Sequence, residues 1–138
     1  MPEDLSPPTG KLRVKITSPL SPVIEVVADS ISLPAVQGER LIIPDMAPLF
    51  CQLNQGYVVI NRPDHSPLTY IISKGVAEIR RDICSVMAWG IRPDEINPVK
   101  IQRLLSDAES ALPTMISLMA RQEMQSRIDF YRLLLSYK

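Results

Sequence analysis

Eleven of the thirteen prolines precede residue 98, and the remaining two, Pro98 and Pro113, stand where a helix can begin or break. Proline fixes φ and removes a backbone donor, so this distribution disfavours long helices before residue 93 and permits them after it. Up to that point short β-branched runs alternate with turn residues at the spacing of an all-β sandwich or barrel. We read strands at 12–16, 25–33, 40–43, 49–53, 57–61, 68–73, 76–80 and 83–89. In the first of them Leu12, Val14 and Ile16 share one face while Arg13 and Lys15 share the other, which predicts a half-buried strand. Asn61, Pro63, Asp64, Ser66 and Pro67 predict a hairpin loop, and Asn54, Gln55 and Gly56 a second tight connection.

After Pro93 the periodicity becomes helical. Ile101, Leu104, Leu105, Ala108 and Leu112 form one stripe, with Asn97 as its cap and Pro98 in the first turn, and Asp94 is an alternative start. Pro113 interrupts, and Ile116, Ala120, Met124, Ile128, Tyr131 and Leu135 form a second stripe. Two amphipathic helices joined by a short break pack as an antiparallel hairpin, because each alone leaves its stripe in water. Leu133 to Leu135 wrap more than one helical face, so part of the tail is expected to serve a partner. The chain thus divides into a proline-rich N-terminal arm at 1–10, expected to be flexible, a sandwich over 11–92 and a helical hairpin over 93–138.

Fifteen basic and fifteen acidic side chains give no net charge, and 46% of residues are hydrophobic, so the chain builds a core without a field that draws polyanions. Lys74 with Arg80 and Arg81 lacks the interleaved aromatics of a nucleic-acid surface, and aromatics are 5% of the chain. Trp89 is read as core or interface. No apolar run approaches the roughly 20 residues that cross a bilayer, and the N-terminus lacks a secretory signal, which predicts a reducing, cytosolic setting. Cys51 and Cys84 are then buried thiols rather than a disulfide or a metal pair. The single histidine, His65, sits in a turn without a nucleophile signature, and no Walker-type loop occurs, so no catalytic residue, metal or obligatory cofactor is expected.

Residues 31–49, Ile-Ser-Leu-Pro-Ala-Val-Gln-Gly-Glu-Arg-Leu-Ile-Ile-Pro-Asp-Met-Ala-Pro-Leu, resemble the signature V-S-L-P-G-V-E-G-E-L-G-I-L-P-G-H-A-P-L of the ε subunits of bacterial F-type ATP synthases, with eleven of nineteen positions identical. Ser73-Lys74-Gly75 and Glu78-Ile79 are similar to the family's S-G-G-x-x-E-V, and Arg92-Pro93-Asp94-Glu95-Ile96 enters the helices. The resemblance implies an N-terminal antiparallel β-sandwich of about ten strands with a C-terminal antiparallel two-helix hairpin. It implies a non-catalytic rotor subunit of a proton- or sodium-translocating enzyme, at the foot of the central stalk, binding the γ subunit and resting on the c-ring. Coupling of rotation and restraint of ATP hydrolysis through the hairpin are the implied roles. The implied location is peripheral, on the cytoplasmic face of the bacterial inner membrane, through the complex alone.

By the same resemblance Glu39 and Met46 are the matched c-ring contacts, against the plainer reading of a solvated turn. The family's Gly-His is Asp45-Met46 here and the glycine that follows its Gly-Glu-Leu is Leu41, so the loop is expected to differ locally. Relatives that bind ATP use I/L-D-x-x-R-A, aligned with residues 96–101. Ile96, Asn97 and Lys100 are the ATP-contact candidates, although Asn97 and Lys100 replace the carboxylate and the guanidinium fork. The plainer reading is that Asn97 caps a helix and Lys100 is solvated. Arg121, Arg127 and Arg132 are candidates for meeting acidic residues of the α/β catalytic head, against a solvated helical face balanced by Glu123 and Asp129. Two other readings stand beside the rotor subunit: an ATP-responsive binding module, and a diverged paralogue that binds a different protein.

Overall fold

The computed structural model describes residues 10–137; the proposed arm falls almost entirely on residues 1–9, outside the described residues. Contacts group the chain into two units, one ending at Ile91 and the other starting at Arg92.

The first unit is all β: β1 Leu12–Ser18, β2 Ser21–Ala28, β3 Ser30–Ala35, β4 Gly38–Ile42, β5 Leu49–Leu53, β6 Gly56–Asn61, β7 Leu68–Arg80 and β8 Ile83–Ile91. They run in the order β2-β1-β8-β7-β5-β3-β4, with β6 bridging β3 and β7, so one hydrogen-bonded sheet folds over itself as a sandwich. Among the described residues eight strands, not about ten, build it. The expected strand at 25–33 is two, because the chain turns a corner at Asp29, whose amide donates to the Asn61 carbonyl at 2.7 Å. The runs at 68–73 and 76–80 are one strand, β7, whose first half pairs with β6 and whose second half pairs with β5. The sheet is also not purely antiparallel, since β1 lies parallel to β8, Arg13 opposite Ile83 through Thr17 opposite Met87.

Alternation drives the packing. Leu12, Val14 and Ile16 of β1 point inward with Ile31 and Leu33, Ile60, Ile79, Cys84 and Val86 into one core, and Lys15 stays exposed. A parallel pair cannot be closed by a hairpin, and the end of β1 is held instead by a side chain. Ser18, buried, donates from Oγ to the Gly90 carbonyl at 2.6 Å and accepts from the amides of Gly90 and Leu20, each at 3.1 Å. Cys51 is half-buried and Cys84 fully buried, both free. Burial pushes both thiols up, Cys84 to about 12 with a smaller push from Cys51, while Arg40 offsets part of the rise at Cys51.

The second unit is a pair of helices, α1 Pro98–Ala111 and α2 Leu118–Ser136. Asn97 caps α1 as expected: its Oδ1 accepts from the amides of Val99 at 3.1 Å and Lys100 at 3.3 Å. Leu105, Ala108 and Ile128 are buried between the helices, flanked by Leu112, Met124, Tyr131 and Leu135. One member of the expected second stripe is misplaced. Ile116 precedes the Ser117 cap of α2 and is 97% exposed, because the short turn at Leu112–Thr114 delays the helix. Leu133 and Leu135 are half-buried and Leu134 buried, so the tail leaves less apolar surface open than its three leucines suggest.

Candidate interaction surfaces

Asp45, where the family pattern has glycine, adopts φ 67°, the left-handed conformation that aspartate tolerates better than most side chains. Its amide donates to Asp82 Oδ1 at 2.7 Å, tying the loop to the turn between β7 and β8. Leu41 lies in extended β4 opposite Ser32, with its side chain in solvent, where no glycine-specific dihedral is required.

The two matched loop residues differ in what they offer. Glu39 is exposed near the start of β4, and its Oε1 accepts from Ser32 Oγ at 2.6 Å. Met46 is half-buried, packs against the sandwich core, and its Sδ accepts from the Ile43 amide at 3.4 Å. About 13 Å of extended chain separates Glu39 from that amide, at 3.3 Å per residue, so the two do not form one contact point.

The candidates in the hairpin are largely engaged within it. Asn97 spends its side-chain oxygen on the cap of α1, Lys100 faces solvent, and Ile96 is half-buried. Arg121 donates from Nε to the Met115 carbonyl at 2.6 Å, and Arg132 pairs with Glu109 of α1 at 3.6 Å. Arg127 is exposed on α2.

A surface that the pattern of strands alone did not single out is the outer face over β8, β7 and β5. In β8 the residues in phase with Ile83 and Ser85 point outward, and two of them are large and apolar: Met87 at 57% and Trp89 at 43% exposure. Across the ladders Met87 faces Thr17 on one side and Val76 on the other, and Val76 faces Gln52. With Val36, 52% exposed, these side chains line a groove of about 650 Å³. The signal in the sequence is the phase of Met87 and Trp89, which fall on the solvent side of an alternating strand. Lys74 stands at this groove, about 20 Å of strand from Arg80, so the three bases do not form one patch.

Among the described residues no group of three or more His, Cys, Asp or Glu gathers as a metal site, and no helix is long and apolar enough to cross a membrane. What the geometry offers is an exposed apolar groove on a sandwich, and a helical hairpin. The family model described as ATP synthase, Delta/Epsilon chain, beta-sandwich domain matches residues 11–93, and the chain belongs to that family. The ATP synthase epsilon chain of Rickettsia bellii is 37% identical over 104 residues, 73% of this chain and 96% of the relative. That of Granulibacter bethesdensis is 29% identical over 102 residues, 73% of this chain and 76% of the relative. A chain in the Euglena gracilis mitochondrial ATP synthase structure of OSCP, F1 and c-ring shares the fold at a TM-score of 0.66 and 17% identity, over 97% of this chain and 87% of that one. A chain in the Tetrahymena thermophila mitochondrial ATP synthase structure of central stalk and c-ring aligns with TM-score 0.57 and 11% identity, over 91% of this chain and 97% of that one.

Proposed function

We propose that this chain is a non-catalytic rotor subunit of an F-type ATP synthase, bound to the γ subunit through its sandwich. The observation that carries the reading is the groove of Val36, Val76, Met87 and Trp89, an apolar surface of the kind that marks a protein interface, in a member of this family. The c-ring contact falls to the exposed Glu39, with Met46 shaping the loop from beneath. Membrane association is peripheral, through the complex, on the cytoplasmic face.

The hairpin regulates hydrolysis only through a difference in its affinity for two states of the enzyme, since equal binding shifts nothing. Arg121, Arg127 and Arg132 of α2 are the candidates for the α/β head, with Arg121 donating to the Met115 carbonyl and Arg132 paired with Glu109. No nucleotide is assigned to Ile96, Asn97 and Lys100, where the cap occupies the asparagine oxygen. Affinity purification of the tagged full chain from detergent-solubilised membranes of its own organism tests the assignment. Recovery of the γ and c subunits is expected, and recovery of other proteins without γ overturns it in favour of a diverged paralogue.

A further inference from the structure

The turn between β7 and β8 is two residues long, since Arg80 pairs with Ile83, and both of its residues are left-handed, Arg81 at φ 51° and Asp82 at φ 62°. That is the pattern of a tight hairpin turn whose preferred occupants are Asn-Gly or Asp-Gly, because glycine meets no penalty at positive φ. Arginine followed by aspartate is a costly choice for the turn alone, and such strain persists where the surroundings over-determine it. Asp82 is held from two sides. Its carbonyl accepts from the Arg13 amide of β1 at 2.9 Å, and its Oδ1 accepts from the Asp45 amide at 2.7 Å, 37 residues back along the chain. Asp45 is itself left-handed and exposed, within the loop at 43–48 that joins β4 to β5. In that loop Met46 Sδ takes the Ile43 amide, and Met46 rests on the core. A glycine at 82 would suit the hairpin better and leave the Asp45 amide without this acceptor.

We infer that Asp82 is the positioning residue of the β4–β5 loop: its carboxylate fixes Asp45, and with it the segment of Met46, against the start of the β1–β8 pair and so presets the loop for docking on the c-ring. The inference rests on the c-ring reading above and adds the residue that holds the loop in place for that contact. Its effect is preorganisation, since a loop already held in one conformation loses less freedom when it docks. Asp82 acts through the Asp45 amide and needs no contact with the ring.

The test compares Asp82→Gly, Asp82→Asn and Arg81→Gly in the full chain. Hydrogen exchange of the Asp45 amide, followed by NMR, reads the tether, and the affinity of the chain–γ complex for purified c-ring in detergent reads its use. Asp82→Gly is expected to melt within about 5 °C of the parent, because relief of the turn offsets the lost bond. It should nevertheless lose roughly tenfold in protection at Asp45 and bind the ring roughly threefold to tenfold more weakly. Asp82→Asn keeps an oxygen acceptor and tolerates positive φ, so it should restore both readouts to near the parent. Arg81→Gly relieves the same turn with the carboxylate in place and should leave both unchanged. Parental exchange at Asp45 in Asp82→Gly overturns the inference and leaves the c-ring reading standing. So does parental ring affinity once that amide is released, and so does an Asp82→Asn chain that binds the ring as weakly as Asp82→Gly. No binding of the ring by the parent complex overturns both.

Discussion

Ser18→Ala removes one oxygen atom and should be among the most damaging single changes in the sandwich. That oxygen donates to the Gly90 carbonyl and accepts from the amides of Gly90 and Leu20. Both Gly90 groups lie in buried backbone, and a buried group left without a partner costs about 1–3 kcal/mol. The Leu20 amide is nearer to water and adds little. Allowing for partial relaxation, the loss is about 2–4 kcal/mol, a large share of the stability of a domain this size. A shift of about 4–8 °C per kcal/mol places the melting temperature roughly 8–32 °C below that of the parent. Thermal unfolding of the full chain followed by circular dichroism measures it. Thr17→Ala, one residue earlier and exposed, serves as the control and should stay within about 0.5 kcal/mol. A Ser18→Ala melt within 2 °C of the control, on the order of a surface change, would refute the claim that this hydroxyl closes the parallel pair.

Three further outcomes follow from local geometry. Asp45→Gly keeps the left-handed turn and should unfold in urea within about 1 kcal/mol of the parent, whereas Asp45→Val should lose about 1–2 kcal/mol; equal losses would show that the backbone there is unstrained. Asn97→Ala leaves the first amides of α1 without their acceptor and should cost about 1 kcal/mol, read as lower hydrogen-exchange protection across residues 98–105; unchanged protection would mean that solvent replaces the cap. The Cys84 thiol rises from 9.0 to about 12 on folding, so its neutral form is favoured in the native state. Its contribution is complete below pH 9 and is lost as pH rises through 12, and urea titrations should show a shallower decline over that window in Cys84→Ala than in the parent. Parallel declines would remove Cys84 from the account.

The division into sandwich and hairpin was legible because proline and hydrophobic period act locally. Asn97 with Pro98 announced the start of α1, and the alternation of Leu12, Val14 and Ile16 announced β1. Long-range pairing was not legible. Nothing near residue 13 states that β1 lies parallel to a strand seventy residues later, and the Ser73-Lys74 bulge looks locally like a strand end. The 3.6-residue phase of Ile116 matches α2, yet the turn around Pro113 places it ahead of the Ser117 cap. The signature residues named the family, but their contacts came from the fold: Met46 packs inward and Glu39 stays in solvent, a difference in exposure that spacing cannot encode.

Size-exclusion chromatography of the full chain co-expressed with the γ subunit of its own organism tests the central claim most directly. The account predicts a single peak holding the two chains at a one-to-one ratio, and Met87→Asp separating them into two. Independent elution of the unaltered chain would contradict the rotor assignment and leave the groove to a different partner.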